Sequence, residues 1–248
     1  MEIHVCPDLE ALSHKATAIF VDISRKCIVL KGRFAVAVSG GSTPRRLYTL
    51  LSSNRYREKV DWRSINFFWV DERCIPKGHK DSNFRLVFET LLSKLPIPDD
   101  NIHRIKGEEE PEKGAKQYED DLREFFGKNA LPVFDLIILG VGEDGHTASL
   151  FPGSRSLEET NKLAVPVYLE RPKRHRVTLT LPIINNSTHI LFLVAGPSKA
   201  GIVHEILEEG DKRERYPAGL VSPVRGTITW LIDKEAAKRL ENVNIYIT

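Results

Sequence analysis

The chain lacks the raw material for several classes of protein. No apolar run in its 248 residues approaches the roughly 20 that a membrane helix needs. It has three cysteines, Cys6, Cys27 and Cys74, an odd number set far apart, with no CxxC pair or zinc-type spacing. They read as reduced thiols, which suits a cytoplasmic protein. The opening residues, Met1 to Pro7, lack the basic start and apolar stretch of a signal peptide, and this supports the same expectation. Net charge is +2, from 36 basic and 34 acidic residues. That balance is not the footprint of a nucleic-acid-binding protein, so any selectivity for anions must be local and suits a small ligand. No internal repeat, low-complexity tract or linker interrupts the chain.

Several catalytic signatures are also missing. There is no GK[ST] ending of a nucleoside-triphosphate loop and no HExxH-like metal cluster. A G-x-S-x-G elbow is absent, and no cysteine stands beside an obvious base, so covalent acyl-enzyme chemistry has no visible nucleophile. No metal is expected.

What is present is an ordinary globular composition, 41% hydrophobic and 28% charged. A chain of this length buries roughly 70–75% of the surface its unfolded form exposes. Short β-branched and aromatic runs alternate with segments of helical period. This predicts strands at Phe34–Val38, Ile65–Val70, Phe134–Leu139, Arg176–Leu181, Ile190–Val194 and Thr229–Ile232. Helices are predicted over Asp8–Lys26, Pro44–Ser52, Asn83–Lys94, Pro111–Phe126, Lys199–Glu208 and Lys234–Leu240. In the first, Leu9, Leu12, Ala16, Ile19 and Ile23 recur at three- and four-residue steps and mark one buried face. The polar stretch Lys106–Lys116 reads as a surface loop leading into a helix. The expected fold is α/β: a mostly parallel twisted sheet with helices on both faces, Rossmann-like, in one domain spanning residues 1–248. Strand order is not legible, because two helices intervene between Val70 and Phe134.

Four of these strands end in a polar or glycine-rich cluster: Ser39-Gly-Gly-Ser-Thr-Pro44, Asp71-Glu-Arg73, Gly140-Val-Gly-Glu-Asp-Gly-His146 and Ala195-Gly-Pro-Ser-Lys199. Ligands of parallel α/β sheets bind outside the carboxyl ends of strands, so the four clusters are expected on one rim around one pocket.

In the first cluster Thr43 is a candidate N-cap and Pro44 a first helical residue. Gly40 and Gly41 allow backbone N–H groups to turn toward an anion at the positive end of the helix, and Ser42 and Thr43 add hydroxyl donors. The same residues also suit a capped turn with no ligand. Lys199, at the start of a helix, works against the dipole; either a fixed anion explains it or it faces water. Arg45 and Arg46 either attract phosphate as well or, on the first turn of a helix, face water. Histidine is the side chain that most readily takes a proton from water near neutral pH, so His146 is the candidate base. Asp144 either orients its imidazole or caps the turn. Arg73 suits a phosphate or a developing oxyanion, and Asp71 a hydroxyl or the histidine, although an internal ion pair accounts for them equally. His79, His103, His175 and His189 have no comparable context.

These residues resemble the 6-phosphogluconolactonases. The matching stretches are Ser39 to Pro44, Trp69 to Cys74, Asp81-Ser-Asn83 with Arg85, Phe134 to Gly153, Arg176 to Pro182, Gly196 to Ala200, Pro217-Ala218 and Trp230 to Asp233. The resemblance implies hydrolysis of 6-phospho-D-glucono-1,5-lactone to 6-phospho-D-gluconate without a cofactor. It also implies functional coupling to glucose-6-phosphate dehydrogenase and a monomer. His146 falls on the family's proposed general base, Arg73 and Lys199 on cations lining its substrate site, and Gly40–Thr43 on a phosphate-cradling loop of related enzymes. Which cation serves phosphate and which the carbonyl stays open. Ser187-Thr188 departs from the Ala-Arg pair that many members carry, and no role is transferred there. Glucosamine-6-phosphate deaminases resemble the chain in fold and in the Asp-Gly-His element. They follow the histidine with Asn-Glu-Pro, where this sequence has Leu150-Phe151-Pro152. A sugar-phosphate-binding regulator is the non-enzymatic alternative.

Overall fold

The computed structural model describes residues 1–170, 175–241 and 246–247. In chain order its elements are β1 (Glu2–Cys6), α1 (Leu9–Lys31), β2 (Phe34–Val38), α2 (Ser42–Leu51), β3 (Ile65–Trp69), β4 (Asp71–Arg73), α3 (Asn83–Thr90) and β5 (Ile102–His103). They continue with α4 (Pro111–Phe126), β6 (Leu136–Leu139), β7 (Ala164–Val167), β8 (Arg176–Leu179), α5 (Leu181–Asn185), β9 (His189–Val194), α6 (Ala200–Leu207), α7 (Gly210–Arg213), α8 (Pro217–Leu220), β10 (Thr227–Asp233) and β11 (Tyr246–Ile247).

Eight strands form one sheet in the order β11-β1-β10-β9-β6-β2-β3-β5, every neighbouring pair parallel. All residues of β2, β3 and β6 are buried. Successive strand residues point to opposite faces, so both faces of the central sheet are covered. The chain runs outward from β2 through β3 to β5, then returns to place β6 on the other side of β2. The β2–β6 boundary is therefore a topological switch point, where crossovers leave in opposite directions and open a crevice at the carboxyl ends.

A second sheet, β4-β8-β7, is small and antiparallel. It grows from the carboxyl end of β3: the Val70 N–H bonds Val38 O at 3.0 Å, while the Leu179 N–H bonds Val70 O at 2.8 Å. This hand-over carries Asp71 and Arg73 off the main sheet and brings β8 to the rim.

Local chemistry explains both ends of α1. The Asp8 carboxylate caps α1 by accepting from the Ala11 N–H at 2.8 Å. The helix runs five residues past the predicted end, to Lys31, and Gly32, with a φ of +72°, closes it with an N–H bond to Ile28 O. Every predicted strand is present, with ends shifted by up to two residues. Lys234–Leu240 is not helical. After the Ala237 N–H bonds Asp233 O at 2.9 Å the chain continues in turns, and the Asp233 carboxylate is held by Gly196 and Ala236. The short strands β1, β4, β5, β7 and β11 had no clear signal of their own.

Candidate active site

The four strand-end clusters meet over the switch point. A cleft of about 250 Å³ is lined by Ser39, Gly40, Gly41, Ser42, Thr43, Asp71, Arg73, His146 and Lys199, among others. All eight residues singled out from the sequence as site residues therefore share one wall-to-wall space. Along the main sheet the clusters follow β9, β6, β2 and β3 in that order, the last of them continuing into β4 of the small sheet.

At the end of β2, Ser39 ties two strands together. Its Oγ donates to Ile138 O at 2.6 Å and its own carbonyl accepts from Tyr48 Oη at 2.7 Å. The helix that follows starts earlier than predicted: Gly41, φ +107°, is the N-cap, and Ser42, Thr43 and Pro44 form the first turn. Thr43 is thus inside the helix rather than capping it. No side chain caps this end, so its orphan N–H groups remain available to an anion. Gly40 has a separate reason to be glycine, since a Cβ there would lie 1.9 Å from Asn83 Oδ1.

The end of β3 departs from expectation. Asp71, 5% exposed, does not hold the histidine. Its Oδ2 accepts from Ser149 Oγ at 2.5 Å and its Oδ1 from Asn83 Nδ2 at 3.1 Å, with Arg176 Nη1 at 3.7 Å. Arg73 makes no pair with Asp71; its guanidinium donates to Asp81 O. Glu72 between them is buried and accepts from the N–H groups of Arg73, Asn83 and Phe84 and from Ser82 Oγ. It thereby satisfies the start of α3, and burial pushes its carboxyl above the usual range against the pull of those bonds.

The loop after β6 shapes the imidazole. Asp144 Oδ1 stands 2.5 Å from His146 Nδ1 and also accepts from the His146 N–H at 3.2 Å. Asp144 both orients the ring and closes the turn, so the two alternatives are one contact set. Burial alone would raise the Asp144 carboxyl, but its bonds to His146 outweigh that and hold it below the ordinary value. With Nδ1 occupied, Nε2 has no partner among the described residues. Gly145, φ +81°, lies under the Tyr216 ring, where a Cβ would come within 2.4 Å of Cδ1. Phe151 packs on the histidine, ring centroids 4.6 Å apart.

At the end of β9 the Gly196 N–H bonds both carboxylate oxygens of Asp233 at 3.0 Å. Gly196, φ +96°, then turns the chain so that Lys199 reaches the cleft. Lys199 makes no ion pair among the described residues, whereas Arg46 is engaged by Glu10 through two bonds of 2.6 Å. An unneutralised cation, a free helix start and a histidine with an open Nε2 make the cleft fit for a small phosphorylated substrate and for proton transfer to or from water.

Sequence reasoning missed Arg176 as a lining residue, together with the Asn83 and Ser149 contacts to Asp71. Arg176 opens a strand 105 positions after Asp71, and only the small sheet joins them. Ser187-Thr188 lies at the opposite edge of the main sheet. The Thr188 N–H bonds Phe134 O at 2.9 Å, ahead of β6, so the departure there takes nothing from the cleft. Burial raises the Cys6 thiol and pushes Cys27 and Cys74 up to about 11, which disfavours the nucleophilic thiolate at each.

A doubly wound sheet with a polar cleft at its switch point defines a Rossmann-like α/β protein of the small-ligand-binding kind. Residues 7–230 match the family model for glucosamine-6-phosphate isomerases/6-phosphogluconolactonase. A chloroplastic 6-phosphogluconolactonase of Arabidopsis thaliana is 40% identical over 88% of this chain and 69% of its own. The 6-phosphogluconolactonase of a Synechocystis strain is 36% identical over 96% and 98%. The crystal structure of the Thermotoga maritima 6-phosphogluconolactonase superposes with a TM-score of 0.80 at 31% identity, covering 94% of this chain and 99% of that one. The chain belongs to the glucosamine-6-phosphate isomerase/6-phosphogluconolactonase family.

Proposed function

We propose that the chain is a 6-phosphogluconolactonase, which hydrolyses 6-phospho-D-glucono-1,5-lactone to 6-phospho-D-gluconate in the pentose phosphate pathway, with His146 as general base. The observation that carries the residue assignment is the Asp144–His146 contact of 2.5 Å, which leaves Nε2 open in a cleft that also holds Lys199 and Arg73. Nε2 takes a proton from water as the water oxygen attacks the lactone carbonyl, and the resulting imidazolium returns that proton to the departing ring oxygen. The start of α2 (Gly40 to Thr43) and Lys199 hold the phosphate. Arg73, which lines the same cleft, serves the sugar end. Asp71 acts by fixing Ser149 and Asn83 rather than by touching the histidine.

The deaminase reading is disfavoured by Leu150 and Phe151. Deamination with isomerisation needs several acid/base groups in sequence, and the position of the deaminase glutamate here carries a phenylalanine against the imidazole. The reading extends to residues 1–248 as one domain, a monomer without metal or cofactor that takes its substrate from glucose-6-phosphate dehydrogenase. Three free cysteines support a reducing compartment such as the cytoplasm. The test offers purified protein freshly made 6-phosphogluconolactone, with spontaneous hydrolysis subtracted, and glucosamine 6-phosphate in parallel. Lactone opening without ammonia release is expected. Ammonia release at a comparable rate, abolished by His146→Ala, would assign the chain to the deaminase branch.

A further inference from the structure

Ala148 is the one non-glycine residue among those described with a left-handed backbone, φ +51°. A Cβ makes that conformation unfavourable, and backbone strain held in a cleft wall is a pointer to function. The residue lines the cleft two positions after His146.

The turn that creates this conformation also sorts the amides of its loop. The N–H groups of Gly142, Gly145 and Leu150 bond the carbonyls of His146, Gly142 and Thr147, at 2.8, 3.1 and 2.9 Å. Those of His146 and Ser149 bond the Asp144 carboxylate and Thr178 Oγ1, each at 3.2 Å. The Ala148 N–H has no acceptor among the described residues. A half-buried main-chain donor without a partner is unusual, and a substrate oxygen is the natural one to complete it.

We propose that the Ala148 amide is the oxyanion donor of the lactone-opening step, an inference that rests on the lactonase reading. As the water oxygen bonds to the carbonyl carbon and its proton passes to His146 Nε2, the carbonyl π pair moves onto the carbonyl oxygen. The Ala148 N–H receives that charge. When the adduct collapses, C=O re-forms and the bond to the ring oxygen breaks. The imidazolium proton goes to that oxygen, and the new carboxylic acid releases its own proton to solvent. The reach is suitable, since residues two apart have Cα atoms within about 7 Å, so one carbonyl can face both groups. An uncharged donor also stabilises the oxyanion without retaining the anionic product as a cation would.

The test replaces residue 148 by lactic acid through nonsense suppression. The amide then becomes an ester that lacks the N–H and offers a weaker Thr147 carbonyl to the Leu150 N–H, which bonds it at 2.9 Å. An ester at residue 150, which removes that same bond and leaves the Ala148 N–H in place, is the control. The residue-148 ester should lower kcat by about 10²–10³-fold. KM should stay within about threefold, and the residue-150 ester should retain kcat within the same factor. Unchanged kcat in the residue-148 ester, a loss confined to KM, or an equal loss in the residue-150 ester overturns the proposal. A second measurement uses the unaltered protein: 6-phosphogluconolactam, a stable carbonyl analogue, should move the Ala148 amide proton downfield in a ¹⁵N-resolved spectrum. No movement in the saturated complex also overturns it. A wild-type protein that fails to open the lactone would instead refute the parent reading.

Discussion

A Cβ on residue 142 would stand 2.1 Å from Nδ1 of His146 and 2.5 Å from Oδ1 of Asp144, so Gly142 provides the space in which the two side chains meet. The glycine is part of the site although it contributes no functional group. Gly142→Ala should push the imidazole off its carboxylate and lower turnover by about 10²–10⁴-fold, the worth of a positioned base. The stability cost should be only about 1–3 kcal/mol, that of a local overpacking. Steady-state kinetics beside thermal unfolding separates the two effects; wild-type turnover in a folded variant would remove the importance of the contact.

His146→Ala should lower lactone turnover by about 10²–10⁴-fold. His146→Asn should do the same, because it keeps a hydrogen-bonding side chain for Asp144 and removes basicity. Rates near wild type in both, after correction for spontaneous opening, would exclude the histidine as base.

Lys199→Ala should weaken binding of the phosphorylated lactone by roughly 10–150-fold, the worth of about 1.5–3 kcal/mol in one charge-assisted hydrogen bond. The penalty should shrink sharply on the non-phosphorylated lactone. Equal losses on the two substrates would move Lys199 from the phosphate to the carbonyl.

The acid limb of stability should carry a contribution from Glu108. Its hydrogen bonds to Arg104 hold the carboxyl down to about 2, against an ordinary value of 4.5. A carboxyl with a lowered folded pKa adds stability above its unfolded value and loses it as the pH falls through the folded one. The contribution should therefore be complete above pH 4.5 and fade toward pH 2. Glu108→Gln should melt below wild type at neutral pH, and the two curves should converge near pH 2. The gap should be small, because the pair is partly exposed and screened by solvent. A constant gap across that range would contradict the assignment.

Much of the site was legible because its chemistry sits at strand ends, where short apolar runs give way to glycine and polar residues within a few positions. Ser39–Pro44, Asp71–Arg73, Gly140–His146 and Ala195–Lys199 are each local signals. The parallel-sheet rule needs no further information to bring them to one rim. The roles inside the rim were less legible. Asp144 and Asp71 were both candidates to orient His146, and only the bond to Nδ1 separates them. Asp71 is instead committed to Ser149, 78 positions away.

The sequence by itself determined part of the buried face of α1 (Leu12, Ala16 and Ile23, while Leu9 is exposed and Ile19 half-buried), the strands β2, β3, β6, β9 and β10, and the four strand-end clusters of the cleft. Periodicity, capping and turn preference act over a few neighbouring residues. Tertiary structure alone decided that β6 returns beside β2, and so where the crevice opens. It also brought Arg176 to the rim through the antiparallel pairing of β8 with β4. It left Lys234–Leu240 as turns by engaging the Asp233 carboxylate with the distant Gly196 N–H. In each case the deciding contact joins residues far apart in the chain, where its free energy depends on the assembled core and leaves no mark on the local pattern.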